Sequence, residues 1–210
     1  AVRFFNKKIR IFIPCSSECY GLTTKSNPGI EISPHNPMSP YGVAKSSSYY
    51  LARNYRTSYE MFVCVGFLSN HESPLRGNHF VTSKLINSIN KIKNNEISEI
   101  SFGDTTIIRD WGWAPCYVEA IYKIISLDKP DDFIVASGKS YSLNHFIKRA
   151  FYLSGIGSSE KYIKYKGNEI RPNEIKSSYL SPKKAKEILG WENTYDLDTI
   201  ITKLLNNELF

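Results

Sequence analysis

The fold of this 210-residue chain is decided by a short stretch that reads Ser39-Pro40-Tyr41-Gly42-Val43-Ala44-Lys45. Serine is a favoured helix N-cap, and proline suits the first helical position because its missing N–H would have no partner there. The stretch therefore predicts a helix that begins at Pro40 and runs to about Tyr59. On this helix Tyr41 and Lys45 are four residues apart and lie on the same face, one turn from each other.

This tyrosine–lysine arrangement has a chemical use. A tyrosine hydroxyl has a pKa of about 10 and is a poor base at neutral pH. A neighbouring ammonium group favours the phenolate, so Lys45 is expected to lower the pKa of Tyr41 and allow it to exchange a proton with an alcohol or carbonyl. The spacing alone is not specific, because it also occurs at Tyr162/Lys166 and Tyr179/Lys183.

Apolar segments on either side of the helix predict parallel strands. Residues 10–13 run into a polar turn that contains Ser16 and Glu18, and residues 61–67 form a continuous apolar run. Two strands joined by one helix form a right-handed crossover, and ligands bind where the carboxyl ends of such strands meet helix starts. The sequence therefore predicts an α/β fold with a site at this junction.

Periodicity and capping signals predict the remaining elements. Further helices are expected at 79–94, 117–127, 142–154, 181–189 and 196–206, and strands at 100–102, 133–136 and 162–165. Residues 22–37 and 107–114 are interpreted as loops. The second of these contains Arg109, Trp111 and Trp113, and both tryptophans are expected in the core.

Composition narrows the function classes. The net charge is +7, but the lysines are scattered singly, so a nucleic-acid partner is not predicted. No apolar run is long enough for a membrane span, and a cytoplasmic protein without a membrane partner is expected. The four cysteines contain no C-x-x-C pair, so we expect buried thiols and no metal site.

The chain contains no G-x-G-x-x-G or related glycine-rich turn. In a dinucleotide-binding domain such a turn leads into the helix whose N-terminus binds the pyrophosphate. We therefore expect that the isolated chain does not turn over. A separate N-terminal segment is a candidate partner.

Six segments together resemble the GDP-mannose 4,6-dehydratase family, a branch of the extended short-chain dehydrogenase/reductases that acts on nucleotide sugars. The resemblance covers nearly the whole chain, and its most specific segments are those at residues 70–74 and 109–112. The segments are Ser16-Ser17-Glu18-Cys19-Tyr20-Gly21, Ser39–Lys45, Asn70-His71-Glu72-Ser73-Pro74, Phe80-Val81-Thr82, Arg109-Asp110-Trp111-Gly112 and Arg171-Pro172-Asn173-Glu174.

The resemblance implies four catalytic roles. Tyr41 would take the proton of the sugar O4 as hydride leaves C4, and Lys45 would support Tyr41 and hold the nicotinamide ribose. Ser16 would hydrogen-bond the reacting oxygen. Glu18 would remove the C5 proton and help water to leave from C6, giving GDP-4-keto-6-deoxymannose.

The resemblance also implies the ligands and their binding residues. The cofactor would be NADP, with NAD as an alternative, and His71 and Glu72 would line the nicotinamide beside Tyr41 and Lys45. The substrate would be GDP-mannose or a similar nucleotide sugar, and the complete protein would be a homo-oligomer, a dimer or tetramer. The substrate would be bound by Asn70, Val81, Lys84, Arg109, Arg171 and Glu174.

The fold implied is the C-terminal part of a Rossmann-type parallel sheet with a smaller α/β substrate-binding domain. Residues 1–78, with returning elements at about 99–137, would form the catalytic half of the cofactor domain. Residues 79–98 and 138–210 would mainly bind the nucleotide sugar.

Several alternatives remain open at this stage. Glu18 is also compatible with a solvated turn, Arg109 with a structural pair to Asp110 or Glu119, and Arg171 with a surface charge. Leu75 and Ser83 replace arginines of the family pattern, and Trp113, Pro115 and Cys116 replace its His, Lys and Asp. The rival functions are a non-catalytic nucleotide-sugar-binding remnant and a related epimerase or reductase. Glu18 argues against the second, because neither reaction includes an elimination.

Overall fold

A computed structural model gives the fold and describes residues 1–6, 8–165 and 173–209. The helices are α1 (Val2–Phe5), α2 (Pro40–Tyr59), α3 (Val81–Lys93), α4 (Ala114–Ile125), α5 (Leu143–Leu153), α6 (Lys183–Leu189) and α7 (Leu197–Leu205). The strands are β1 (Ile11–Ser16), β2 (Val63–Leu68), β3 (Asn70–Glu72), β4 (Ile100–Phe102), β5 (Ile108–Trp113), β6 (Asp132–Val135), β7 (Ser140–Ser142) and β8 (Ile163–Tyr165). Short 3₁₀ helices occur at Ser17–Tyr20 and Ser159–Lys161.

The strands form three small sheets. One sheet has the order β1-β2-β6, and both of its pairings are parallel. A second has the order β3-β5-β7, with β3 parallel and β7 antiparallel to β5, and β4 pairs with β8 in parallel. Helix α2 connects β1 to β2, so the predicted strand–helix–strand unit is confirmed.

Helix α2 begins as the sequence predicts. The hydroxyl of Ser39 accepts a hydrogen bond from the backbone N–H of Gly42, and Pro40 occupies the first helical turn. The buried face of the helix consists of small and aromatic residues that contact the β1-β2 layer, namely Gly42, Ser46, Tyr49 and Ala52. Tyr41 and Lys45 lie at the edge of this face, where their side chains reach the end of β1.

Two local predictions are wrong. Residues 107–114 are not a loop but contain β5, because this segment supplies the central strand between β3 and β7. Its Trp111 and Trp113 are buried, as expected for core tryptophans. The predicted start of the helix at residue 181 is also wrong, since α6 begins at Lys183 and Pro182 occupies the N-cap position without a side-chain hydrogen bond.

The core has two parts. The larger lies among α3, α4, α5 and α7 and the strands beside them, and the smaller lies between α2 and the β1-β2-β6 sheet. All four cysteines are buried free thiols. Within the described ranges, none of the helices combines the length and apolar character needed to cross a membrane.

His35 lies in an aromatic environment beneath α2. Its ring is within 5.5 Å, centroid to centroid, of the rings of Tyr20, Tyr49, Tyr50 and Phe67. Both ring nitrogens are buried without a hydrogen-bond partner among the described residues. Burial, with a smaller contribution from the charge of Arg53, lowers the pKa of His35 below its ordinary value.

This environment predicts a pH-dependent stability. The unfolded chain binds a proton at His35 more readily than the folded chain, so stability is lost as the pH falls through the ordinary histidine range near 6.5. Replacement of His35 by phenylalanine is expected to reduce the fall in melting temperature between pH 7.5 and pH 5. The matched control is His145→Phe, at an exposed histidine on α5, and an equal fall in the parent and in His35→Phe would contradict the prediction.

Candidate active site

A cavity of about 960 Å³ opens where the carboxyl ends of β1 and β2 meet the beginning of α2, as predicted for the site. This volume is in the range of small-molecule and cofactor sites. Eleven of the twelve residues that the sequence assigns to a site line the cavity, and ten of them belong to the segments between β1 and β5: Ser16, Glu18, Tyr41, Lys45, Asn70, His71, Glu72, Val81, Lys84 and Arg109. Glu174 also lines it.

Tyr41 and Lys45 face the cavity, but the expected electrostatics are not found. The Lys45 ammonium lies 5.7 Å from the centre of the Tyr41 ring and donates to the carbonyl of Pro14 at 2.8 Å. Partial burial raises the pKa of Tyr41, while the Ser16 hydroxyl acts in the opposite direction and the Glu18 charge adds to the rise. The expected net lowering of the Tyr41 pKa is therefore not found in this arrangement, because the effect of burial outweighs that of an ammonium 5.7 Å from the ring centre.

The Tyr179/Lys183 pair is arranged differently from Tyr41/Lys45. Tyr179 precedes α6 and Lys183 begins it, so this pair does not share a helix face. Lys166 lies outside the described residues. The capped helix start, rather than the spacing, therefore distinguishes Tyr41 and Lys45.

Ser16 and Glu18 occupy the turn that follows β1. The Ser16 hydroxyl accepts from the backbone N–H of Glu18 at 3.2 Å, which fixes the start of the 3₁₀ helix. The Glu18 carboxylate accepts from the hydroxyl of Ser39 at 2.5 Å. Glu18 is thus half-buried and hydrogen-bonded rather than a freely solvated turn residue, while Ser39 joins it to the helix that carries Tyr41.

Asn70, His71 and Glu72 form β3 on the far side of the cavity. Nδ1 of His71 lies 2.9 Å from the Ser69 carbonyl, and the ring stacks on Tyr117 at 5.1 Å. Burial lowers the pKa of His71, so the ring is neutral at pH 7. The Nδ1 contact assigns the proton to that nitrogen and leaves Nε2 as an acceptor.

Glu72 is almost fully buried. Its Oε2 accepts from the hydroxyl of Thr82 at 2.7 Å and lies 3.1 Å from Nε of Arg76. Burial raises the pKa of Glu72, whereas the Arg76 charge lowers it. Arg76 also donates to the His71 carbonyl at 2.8 Å and lines the cavity, so it supports the wall that β3 forms. Sequence reasoning missed Arg76, because a spacing of four residues indicates a side-chain pair only on a helix, whereas Glu72 ends a strand and Arg76 follows in a turn.

Val81 and Lys84 lie on the first turn of α3. The ammonium of Lys84 donates to the Ser101 carbonyl at 2.8 Å and lies 5.2 Å from the centre of the Phe102 ring. The end of β4 is therefore held against α3, and both contribute to the cavity wall.

Arg109 projects from β5 and pairs with Glu174 at 2.7 Å. Asp110 and Glu119, which the sequence analysis left open as partners of Arg109, do not take part in this ion pair. Asp110 is instead buried and accepts from Ser69 and from the backbone N–H groups of residues 137 and 138. Arg171 lies outside the described residues.

Sequence comparison gives matches over almost the entire chain. Residues 1–204 match the family model described as GDP-mannose 4,6 dehydratase. "GDP-mannose 4,6 dehydratase 2" of Caenorhabditis elegans is 35% identical, over 97% of this chain and 57% of its own length. The human "GDP-mannose 4,6 dehydratase" is 32% identical, over 96% of this chain and 58% of its own length. The chain thus spans somewhat more than half the length of these curated relatives.

Solved structures support the fold. A dTDP-glucose 4,6-dehydratase from Bacillus anthracis in complex with NAD has a TM-score of 0.86 at 18% identity, covering 98% of this chain and 63% of that chain. A UDP-glucose 4-epimerase from Thermotoga maritima with UDP-glucose has a TM-score of 0.83 at 23% identity, covering 98% and 64%. The predicted Rossmann-type α/β class is confirmed by these likenesses. Because the family model extends from residue 1 to residue 204, the chain belongs to the GDP-mannose 4,6 dehydratase family.

Proposed function

We propose that this chain supplies the catalytic and sugar-binding residues for the dehydration of GDP-mannose to GDP-4-keto-6-deoxymannose. One observation carries the proposal: a phenol and a carboxylate, Tyr41 and Glu18, line the same cavity at the end of β1. Oxidation at C4 needs an acceptor for the O4 proton, and elimination of water across C5 and C6 needs a second acid/base. The site offers one group for each task.

The proposed steps use this chain's residues as follows. A bound nicotinamide cofactor supplies the acceptor and later the donor of hydride. Tyr41, in its phenolate form, takes the proton of the sugar O4, with the Ser16 hydroxyl beside it. Glu18 takes the C5 proton, which the new C4 ketone makes acidic, and transfers a proton to the C6 hydroxyl so that it leaves as water. When C6 is later reduced, C5 takes up a proton, which balances the one that Tyr41 took from O4.

We further propose that the cofactor is NADP, with NAD as the alternative. Lys45, His71 and Glu72 form the candidate contacts. The neutral His71 ring, with Nε2 as an acceptor, suits the amide or ribose of a nicotinamide nucleotide. Among the solved neighbours, the B. anthracis enzyme is in complex with NAD, and RMD from Pseudomonas aeruginosa is complexed with NADPH.

The division of the chain follows the same proposal. Residues 1–78 and about 99–137, which contain β1, β2 and β6, would serve the cofactor side. Residues 79–98 and 138–210 would serve the nucleotide sugar.

The complete protein is further proposed to be a homo-oligomer, a dimer or tetramer. The exposed apolar side chains Val43, Tyr50 and Leu51 on α2 support this proposal. Light scattering would measure the mass of the assembly.

The deciding experiment is incubation with GDP-mannose and either NADP or NAD, with the product identified by mass spectrometry. It is performed on the chain alone and on the chain co-expressed with a strand–glycine turn–helix segment, the candidate partner. Formation of a product lighter by one water supports the proposal. Failure in both preparations, under conditions where a curated relative is active, would contradict it.

A second candidate function is nucleotide-sugar binding without turnover. It is favoured by the raised pKa of Tyr41 and by the 5.7 Å between the Lys45 ammonium and the centre of the Tyr41 ring, since a phenol that keeps its proton cannot take the proton of O4. Calorimetry separates the two functions. Binding of GDP-mannose with neither cofactor reduction nor product would favour this candidate.

The binding half of the proposal predicts a measurable loss in affinity. Arg109 is assigned to the diphosphate because a guanidinium can bind two phosphate oxygens together. Replacement of Arg109 by alanine is expected to weaken GDP binding by about 1.5–3 kcal/mol, the range for hydrogen bonds to charged groups. Calorimetric titration with GDP measures the change.

The matched control is Arg149→Ala. Arg149 also pairs with a carboxylate, Asp198, but it lies on α5 outside the cavity lining. Its removal is expected to leave GDP affinity unchanged. Equal affinities for the parent and Arg109→Ala would remove Arg109 from the site.

A further inference from the structure

Ser39 makes two hydrogen bonds with one hydroxyl group. Its Oγ accepts from the backbone N–H of Gly42 at 3.0 Å, which caps α2, and it contacts Oε2 of Glu18 at 2.5 Å. Ser39 and Glu18 both line the cavity. The residue that starts the helix is therefore bonded directly to the carboxylate on the preceding turn.

The directions of these bonds follow from the chemistry of the partners. A backbone N–H can only donate, so Ser39 accepts from Gly42, and its single proton remains for Glu18. Among the described residues, the Ser39 hydroxyl donates to Oε2 of the Glu18 carboxylate. Oε2 is consequently held, and Oε1 is left for proton transfer.

The backbone around this bond is closely packed. A Cβ atom added to Gly42 would lie 2.9 Å from the Glu18 carbonyl oxygen and 3.1 Å from Cβ of Pro37. The first turn of α2 and the Glu18 turn thus contact each other through a glycine that leaves room for the approach. Tyr41 belongs to the same helical turn as Gly42, so this close approach brings the backbone that carries Tyr41 next to the backbone that carries Glu18.

We propose that Ser39 is a positioning residue that holds Glu18 for the elimination step and directs its Oε1 toward the substrate, an inference that rests on the proposed function. In this step Oε1 accepts the proton from C5, and the C5–H electron pair forms the new C5–C6 double bond. The C6–O bond breaks, and the hydroxyl leaves as water with a proton from Glu18. Ser39 keeps its own proton throughout and donates to Oε2.

The test compares Ser39→Gly with Ser39→Thr, in the preparation that converts GDP-mannose. Glycine is tolerated at helix N-caps but has no hydroxyl, whereas threonine retains a capping hydroxyl. We expect Ser39→Gly to lower kcat for dehydration by about 10²-fold, the scale of a 1 Å misplacement of a reacting group. The KM for GDP-mannose should remain within about twofold, and Ser39→Thr should restore most of the lost rate.

Two readouts distinguish positioning from a general structural defect. With substrate deuterated at C5, the isotope effect should increase in Ser39→Gly, because proton removal becomes more rate-limiting, while the transient reduction of the cofactor should persist. In a Glu18→Gln background, Ser39→Gly should cause no further loss, since the two residues act in one step. If Ser39→Gly melts at a much lower temperature, Ser39→Asp, which caps the helix but has no proton to donate when ionised, should give the same kinetic pattern.

The alternative outcomes are separable. Unchanged kcat in Ser39→Gly, an equal loss in Ser39→Thr, or multiplied losses in the double variant would each overturn the positioning role while leaving the proposed function intact. A parent protein that neither reduces the cofactor nor forms product would overturn the proposed function, and the assignment of Ser39 with it.

Discussion

Replacement of Tyr41 by phenylalanine is expected to lower the turnover of GDP-mannose by about 10²–10⁴-fold, the usual contribution of a positioned general acid or base. The phenyl ring is retained, so the contact with Lys45 and the packing at the edge of α2 should be preserved. What is lost is the phenolic oxygen that takes the O4 proton. Stopped-flow absorbance of the reduced nicotinamide measures the step directly, and no transient reduction should be visible.

Tyr179→Phe is the matched control, because Tyr179 has a lysine at the same spacing but does not line the cavity. It should turn over like the parent. GDP binding by calorimetry should be equal in all three proteins, which would confirm that the Tyr41 variant is folded. Turnover of Tyr41→Phe within about threefold of the parent would show that another group takes the O4 proton.

Replacement of Glu18 by glutamine is expected to separate oxidation from elimination. The amide oxygen can still accept from Ser39, but the side chain can neither remove the C5 proton nor protonate the leaving hydroxyl. Product formation should fall by about 10²–10⁴-fold. Oxidation at C4 should continue, so reduced cofactor should accumulate without 6-deoxy product.

Glu174→Gln provides the contrast within the same cavity. Glu174 pairs with Arg109 at the proposed substrate end of the site, so its loss should alter the KM for GDP-mannose. The ratio of oxidised intermediate to dehydrated product should remain that of the parent. Normal dehydration by Glu18→Gln would show that elimination uses a different acid or base. A simultaneous loss of oxidation and elimination would place Glu18 in the first step as well.

The elements nearest the site could be predicted because local signals agree there. Ser39 and Pro40 specify the start of α2, and the structure confirms the helix over the full predicted range from Pro40 to Tyr59. Asp196 likewise caps α7, and Gly190 ends α6 in a left-handed conformation. In each case the deciding interactions lie within a few residues of one another in sequence.

Strand β5 could not be predicted in this way. Its segment contains Arg109, Asp110 and Gly112, which weaken a strand pattern, and the strand exists because of pairing with β3 and β7, about 40 and 30 residues away in sequence. Gly112 is needed there, since a Cβ atom would lie 2.2 Å from the Tyr117 ring. Long-range packing therefore decides this element.

The electrostatics of the site also depend on contacts that spacing does not specify. Placement of Tyr41 and Lys45 on one helix face was predictable, but the bond from Lys45 to the Pro14 carbonyl was not. The link between Ser39 and Glu18 joins residues 21 positions apart and has no periodic signal. Sequence reasoning thus located the groups that line the cavity without fixing their hydrogen-bond partners.

The ion pair between Arg109 and Glu174 has a consequence for the entropy of ligand binding. A free arginine side chain loses rotational freedom worth roughly 1.5–2 kcal/mol when it is immobilised. In this structure Glu174 already restrains the guanidinium at 2.7 Å, so much of that freedom is lost before any anion arrives. Association of a diphosphate would then replace one anionic partner of an already restrained guanidinium by another, and removal of Glu174 would make the same association entropically less favourable.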